Sequence, residues 1–179
     1  AAFLLPLLQR LNEAPAPYGG IRALILVPTR ELARQIQAEF LALGRRTRLT
    51  AAVIIGGEDR KRQVSALRKN PDLVIATPGR LREHLETGEA DLSALGFLVL
   101  DEADRMLDMG FIHDIRKVLA LLPPNHQRQN LLFSATFSDE IKQLAERLLN
   151  DPELIEAAPR NTTAERIDQV VYPVDRQRK

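Results

Sequence analysis

An α/β fold with a doubly wound, mostly parallel sheet is what this sequence predicts, on three observations. Five short apolar runs are continuous rather than alternating, as strands covered on both faces require. Stretches of helical periodicity separate them, and such alternation belongs to a parallel sheet. The loops that follow the runs are rich in Gly, Thr, Arg, Asp and Glu, and a parallel sheet gathers those loops along the carboxyl edge of its strands.

Taken in order, Ala1 to Leu11 reads as an amphipathic helix. Its apolar segment has neither the basic leader nor the small-residue cleavage site of a signal peptide, and it is too short to span a bilayer. The five strands are expected at Leu24 to Val27, Ala51 to Ile55, Leu73 to Ala76, Phe97 to Leu100 and Leu131 to Phe133. Between them, Leu32, Ile36, Phe40 and Leu43 mark one helix, and Val64 with Leu67 marks another. Leu81 and Leu85 mark a short helix, and Phe111, Ile112, Ile115, Val118, Leu119 and Leu122 form a wide apolar stripe. Ser138-Asp139-Glu140 opens a last helix carrying Ile141, Leu144 and Leu148, which ends at Asn150-Asp151-Pro152.

The 179 residues suffice for one domain with a sizeable core and a short tail. Residues 1–158 are expected to form that domain. Residues 159–179 read as a linker, through Pro159-Arg160-Asn161-Thr162-Thr163, and a lone strand at Gln169 to Val174 that would begin a second domain. A formal net charge of +1 gives no global field toward nucleic acid, so any such binding must be local. The absence of cysteine excludes disulfides, a thiol nucleophile and a thiolate zinc site, which fits a cytosolic protein.

Three loops share one chemistry. Pro28-Thr29-Arg30-Glu31, Gly56-Gly57 and Thr77-Pro78-Gly79-Arg80 each follow a strand. Thr77 is expected as an N-cap with Pro78 in the first helical position. Free N–H groups at helix N-termini, close backbone approach at glycine and two arginines together suit a run of phosphates. The tetrad Asp101-Glu102-Ala103-Asp104 ends the fourth run. Asp101 is expected to hold Mg²⁺, directly or through water, and Glu102 to orient or deprotonate a water. Asp104 is expected to bond Ser134 and Thr136 of Ser134-Ala135-Thr136. A solvated acidic turn capping the next helix is the bland alternative. The isolated His84, His113 and His126 suggest surface or packing roles, and Arg60-Lys61-Arg62 a solvated helix face.

Together these motifs resemble, in order, the first RecA-like domain of the DEAD-box ATP-dependent RNA helicases. Arg105 to Phe111 and Leu132 to Ser138 resemble the bacterial RhlE-type branch. The resemblance implies that Asp101 and Glu102 serve Mg-ATP, that Asp104, Ser134 and Thr136 couple nucleotide state to RNA, and that Pro28, Thr29, Arg30, Gly56, Gly57, Thr77, Pro78, Gly79 and Arg80 grip the RNA sugar-phosphate backbone. It also implies a second RecA-like domain as partner. The family's first strand and its Gly-Lys-Thr phosphate loop have no counterpart in the sequence, since Ala1 to Pro6 is similar to the helix after that loop. The expectation is therefore a RecA-like P-loop NTPase domain lacking its first strand and P-loop, active in its parent and inactive alone. Alternatives from other classes are a non-catalytic RNA-binding or partner-docking module and a DNA translocase.

Overall fold

The structure, a computed structural model, describes residues 2–13 and 20–156. The linker and strand expected at 159–179 lie outside the described residues. Among the described residues thirteen elements alternate as the hydrophobic pattern requires. They begin with α1 (Leu4–Glu13), β1 (Ala23–Leu26), α2 (Arg30–Leu43), β2 (Ala51–Ile54), α3 (Arg60–Leu67), β3 (Leu73–Ala76) and α4 (Pro78–Glu86). There follow β4 (Phe97–Leu100), α5 (Ala103–Asp108), α6 (Ile112–Ala120), a 3-10 turn (Asn125–Gln127), β5 (Gln129–Leu132) and α7 (Asp139–Leu148).

All five strands are parallel, in the order β2-β3-β1-β4-β5. β1 and β3 are buried along their whole length, which explains why their sequences Ala-Leu-Ile-Leu and Leu-Val-Ile-Ala show no polar alternation. Successive residues feed opposite faces. Leu24, Leu26, Val74, Leu98 and Leu100 pack with α4 to α7 through Leu81, Met106, Ile115, Val118, Ile141 and Leu144. Ala23, Ile25, Leu73, Ile75 and Val99 pack with Leu4, Leu7, Leu8 and Leu11 of α1 and Ile36 and Phe40 of α2. Each fully buried Leu or Ile contributes about 1.5–3 kcal/mol of transfer free energy.

Local signals set the helix starts. Thr29 Oγ1 accepts from Leu32 N at 3.2 Å, Asp59 Oδ1 from Arg62 N at 3.0 Å and Ser138 Oγ from Ile141 N at 3.3 Å. Thr77 has the extended backbone of an N-cap and Pro78 follows it, but its side chain makes no capping bond, so that expectation holds in position only.

β5 differs from its expected span. It starts at Gln129, two residues before the apolar run, and Phe133 lies past its end. Its only neighbour among the described residues is β4, which leaves its side chains partly exposed and lets polar Gln129 and Asn130 pair by backbone alone. Phe133 remains 40% exposed and stacks at a tilt on Phe3, with ring centroids 5.2 Å apart. Among the described residues no helix is long and apolar enough to cross a membrane.

Candidate functional site

Strand register places the site. Ile54 pairs with Ala76, Ala76 with Leu26, Leu26 with Leu100 and Leu100 with Leu132, so the five strands end in one row. The loops beyond that row form one continuous edge. Its order is that of the strands: Gly56-Gly57, then Thr77 to Arg80, then Pro28 to Arg30, then Asp101 to Asp104, then Ser134 to Thr136. Folding thus sorts five separate motifs into a basic, glycine-bearing half and an acidic half.

In the first half the three loops hold one another. The Arg30 guanidinium lies over Gly57, where an added Cβ would come within 2.6 Å of Nη1, and Gly57 has φ +76°. Only glycine fits that pairing of conformation and neighbour without strain. Arg80 Nη1 donates to the Glu58 carbonyl at 3.2 Å and its Nε contacts Glu83 at 3.0 Å, while Arg34 pairs with the Glu58 carboxylate. Arg80 therefore ties the β2 and β3 loops as well as bringing charge to the edge. Thr77 and Pro78 are buried and set the start of α4; Arg30 and Gly57 are exposed, and Gly56 and Gly79 are half-buried. Thr29 spends an oxygen lone pair on Leu32 N and keeps its hydroxyl hydrogen for an outside acceptor.

In the second half, Asp101 is half-buried and Glu102 sits in the left-handed region with φ 52° and ψ 51°. For a residue with a Cβ that conformation costs about 1–2 kcal/mol, and such strain gathers at functional sites. Glu102 occupies the N-cap of α5 without any side-chain capping bond. Its carboxylate contacts Arg105 at 3.1 Å in an exposed pair. The bland reading of the tetrad as a capping turn thus lacks a side-chain capping bond from Glu102, although Asp104 does lie in the first turn of α5. Asp104 corrects a further expectation: Oδ2 accepts from the Thr136 backbone N at 3.0 Å, but the buried Ser134 hydroxyl has no partner among the described residues. The two loops are also joined by Ala103 N donating to the Phe133 carbonyl at 2.9 Å. Asp101, Glu102, Asp104 and Ser134 line an open cavity of roughly 450 Å³.

Burial holds the Asp101 carboxyl above its ordinary range, partly offset by the hydrogen bond from Glu102 N and reinforced by the Glu102 charge. A raised folded-state value means that the native protein binds the proton more tightly than the unfolded chain. Stability is therefore lost as pH rises from the ordinary carboxyl value through the raised one, and the full penalty persists at neutral pH. Asp101→Asn should raise Tm at pH 7, with a gain that shrinks as pH falls into the carboxylate range. Thermal melts of both proteins from pH 3 to 8 check this; an unchanged or lower Tm at pH 7 contradicts it.

Two sets of contacts had no signal in the sequence. Glu58 bridges Arg34 and, through its carbonyl, Arg80. His84 is fully buried and bonded on both ring nitrogens, the packing role of the two expected, and Arg60 stays on the exposed helix face while pairing with Glu89 at 2.7 Å. Among the described residues no group of three or more His, Asp or Glu is assembled for a metal.

Comparison with known proteins defines the class: residues 1–144 match the DEAD/DEAH box helicase family. The chain belongs to that family. It is 43% identical over 179 residues to the ATP-dependent RNA helicase RhlB of Pseudomonas putida, covering 97% of this chain and 45% of that protein. It is 40% identical to the DEAD-box ATP-dependent RNA helicase CshA of Geobacillus kaustophilus, covering the whole chain and 37% of the relative. A DEAD box protein from the hyperthermophile Methanococcus jannaschii superimposes with a TM-score of 0.76 at 42% identity, over 83% of this chain and 39% of that one. The chain thus spans less than half the length of these relatives. They bear out the family and the fold expected from the sequence; the RhlE-type branch is not confirmed by them.

Proposed function

We propose that this chain carries the RNA-gripping edge and the hydrolytic carboxylates of an ATP-dependent RNA helicase. The observation that supports the reading most is the single loop edge, which carries Arg30, Gly57 and Arg80 along one part and the strained Glu102 along another.

The residues present fit Mg-ATP in their chemistry. A half-buried carboxylate, a second carboxylate not spent on capping and a buried hydroxyl without a partner among the described residues share one open cavity. Asp101 would hold Mg²⁺ through water, with Ser134 and Thr136 contributing to the nucleotide site. When bound, Mg-ATP supplies a phosphoryl group for transfer to water. Glu102 orients that water and accepts its proton, a role worth about 10²–10⁴-fold in rate. Asp104, through Thr136 N, passes movement of the Ser134–Thr136 loop to α5.

RNA is held by its backbone. The N-terminal N–H groups of α2 and α4, the Gly56-Gly57 backbone, Thr29, Arg30 and Arg80 face phosphate and sugar, and buried Pro28, Thr77, Pro78 and the Gly79 turn set their positions. Such contacts carry no sequence information. Closure against a second RecA-like domain would bend the bound strand and separate a short duplex locally.

Fluorescein-labelled oligouridine binding by the full-length protein, measured across salt concentrations, tests the grip. With two to three phosphates neutralised, the log–log slope should be about −1.4 to −2. Oligocytidine should bind within about threefold of oligouridine, and the matching DNA should compete poorly. Tight sequence preference or equal competition by DNA contradicts the reading, the latter favouring a DNA translocase. RNA binding without ATP turnover would favour a non-catalytic module.

A further inference from the structure

Behind the RNA-facing edge lies a buried polar chain that the helicase chemistry leaves unused. Gln63 on α3 is 3% exposed and His84 on α4 is 0% exposed. Gln63 Nε2 donates to the Ile55 carbonyl at 2.8 Å, which fixes the amide orientation and turns Oε1 toward His84 Nε2, 3.2 Å away. His84 Nδ1 lies 2.8 Å from Glu89 Oε2, and that oxygen also receives Arg60 at 2.7 Å and Thr87 Oγ1 at 3.0 Å. One line of hydrogen bonds therefore runs from the far end of α4 to the carbonyl just before Gly56-Gly57.

The energetics argue for a specific role. Burying an amide and an imidazole is costly unless each is hydrogen-bonded, and a satisfied buried network of this kind rigidifies the elements it joins. The chain's inner terminus is a loop carbonyl, and the loop beyond it is open: a Cβ at Gly56 would meet nothing within 4 Å. Packing does not hold Gly56 in place from outside. Its position follows from the Ile55 bond behind it and from the Arg30 and Arg80 contacts beside it. The same helix that carries His84 starts at Thr77-Pro78-Gly79-Arg80. Gln63 and His84 thus span the two loops proposed to follow successive phosphates.

We infer that Gln63 and His84 are positioning residues for RNA, a buried strut that sets the Gly56-Gly57 loop against the N-terminus of α4. The inference rests on the reading of that edge as the RNA grip. Neither side chain touches ligand, and both act through the Ile55 carbonyl.

The test uses the full-length protein with oligouridine and ATP. Gln63→Met keeps the volume and removes both bonds. It should raise the oligouridine concentration for half-maximal ATPase stimulation about tenfold, with kcat and the KM for ATP within twofold of wild type. His84→Gln keeps a donor of similar reach and should stay within threefold on every parameter. In two-dimensional amide spectra, the Gly56 and Gly57 resonances should shift in Gln63→Met while those of β4 do not. A folded Gln63→Met protein with unchanged RNA dependence, or with the RNA and ATP parameters falling together, overturns the inference. Should wild-type protein fail to bind oligouridine, the RNA reading itself falls. The glycine resonances then decide the strut alone: unshifted, they overturn it.

Discussion

Glu102→Gln should slow ATP hydrolysis by the full-length protein about 10²–10⁴-fold, the range for removing a positioned general base. Glutamine matches glutamate in shape and can take the same left-handed backbone, so the φ 52° turn survives the change. The substitution weakens the exposed ion pair with Arg105, worth at most about 1 kcal/mol, and relieves the charge repulsion on Asp101. ATP affinity and oligouridine affinity should therefore stay within about threefold, and only kcat should fall. Steady-state turnover combined with equilibrium binding separates these outcomes. A parallel loss of affinity would mean that Glu102 organises the site and does not act on water. An unchanged kcat would remove it from the chemistry.

Gly57→Ala should have the largest effect on the other half of the edge. The added methyl group meets the Arg30 guanidinium at 2.6 Å. That group ends a flexible side chain and can swing away, so the collision itself is cheap. The φ of +76° is the larger cost, about 1–2 kcal/mol for a residue with a Cβ. Relief of that strain shifts the loop, and displacement of Arg30 removes a cation from the proposed phosphate track. Oligouridine affinity should drop about tenfold, equivalent to about 1.4 kcal/mol. Gly88→Ala supplies the control: its φ is +69°, nothing lies within 4 Å of its Cβ position, and it sits away from the edge. It should cost similar stability without changing RNA affinity. Equal RNA affinity for both variants would show that the Gly57–Arg30 pairing is structural only.

Much of this architecture was legible because apolar continuity is a strong signal where a strand is buried on both faces. Leu73 to Ala76 and Phe97 to Leu100 coincide with β3 and β4, and Leu24 to Val27 and Ala51 to Ile55 each lie within one residue of β1 and β2. The signal weakens at β5, where backbone pairing to one neighbour admits Gln129 and Asn130. It is incomplete on α3. Val64 and Leu67 mark the helix and Leu67 is buried, but the other buried residue is Gln63, whose amide finds partners on Ile55 and His84. No hydrophobic pattern announces a polar residue whose burial depends on partners distant in sequence.

The candidate site was legible as a cluster of motifs for a different reason. Its residue types are demanding locally, as in a glycine pair, a Thr-Pro helix start and adjacent carboxylates, and the parallel sheet then delivers all of them to one edge. What the chain could not display were conditions met only in three dimensions. The left-handed Glu102, the Glu58 bridge and Asp104 choosing the Thr136 backbone over the Ser134 hydroxyl all belong to that group.

If the basic and acidic halves of the edge work as one device, RNA held on the first must set the pace of hydrolysis on the second. ATP turnover by the full-length protein, titrated with oligouridine, reads that coupling without an intermediate step. Stimulation by RNA should be saturable, with Gly57→Ala shifting the half-stimulating RNA concentration about tenfold upward at unchanged kcat. Turnover that is indifferent to RNA, or a Gly57→Ala protein whose kcat falls while its RNA dependence stays fixed, would show that the two halves act separately.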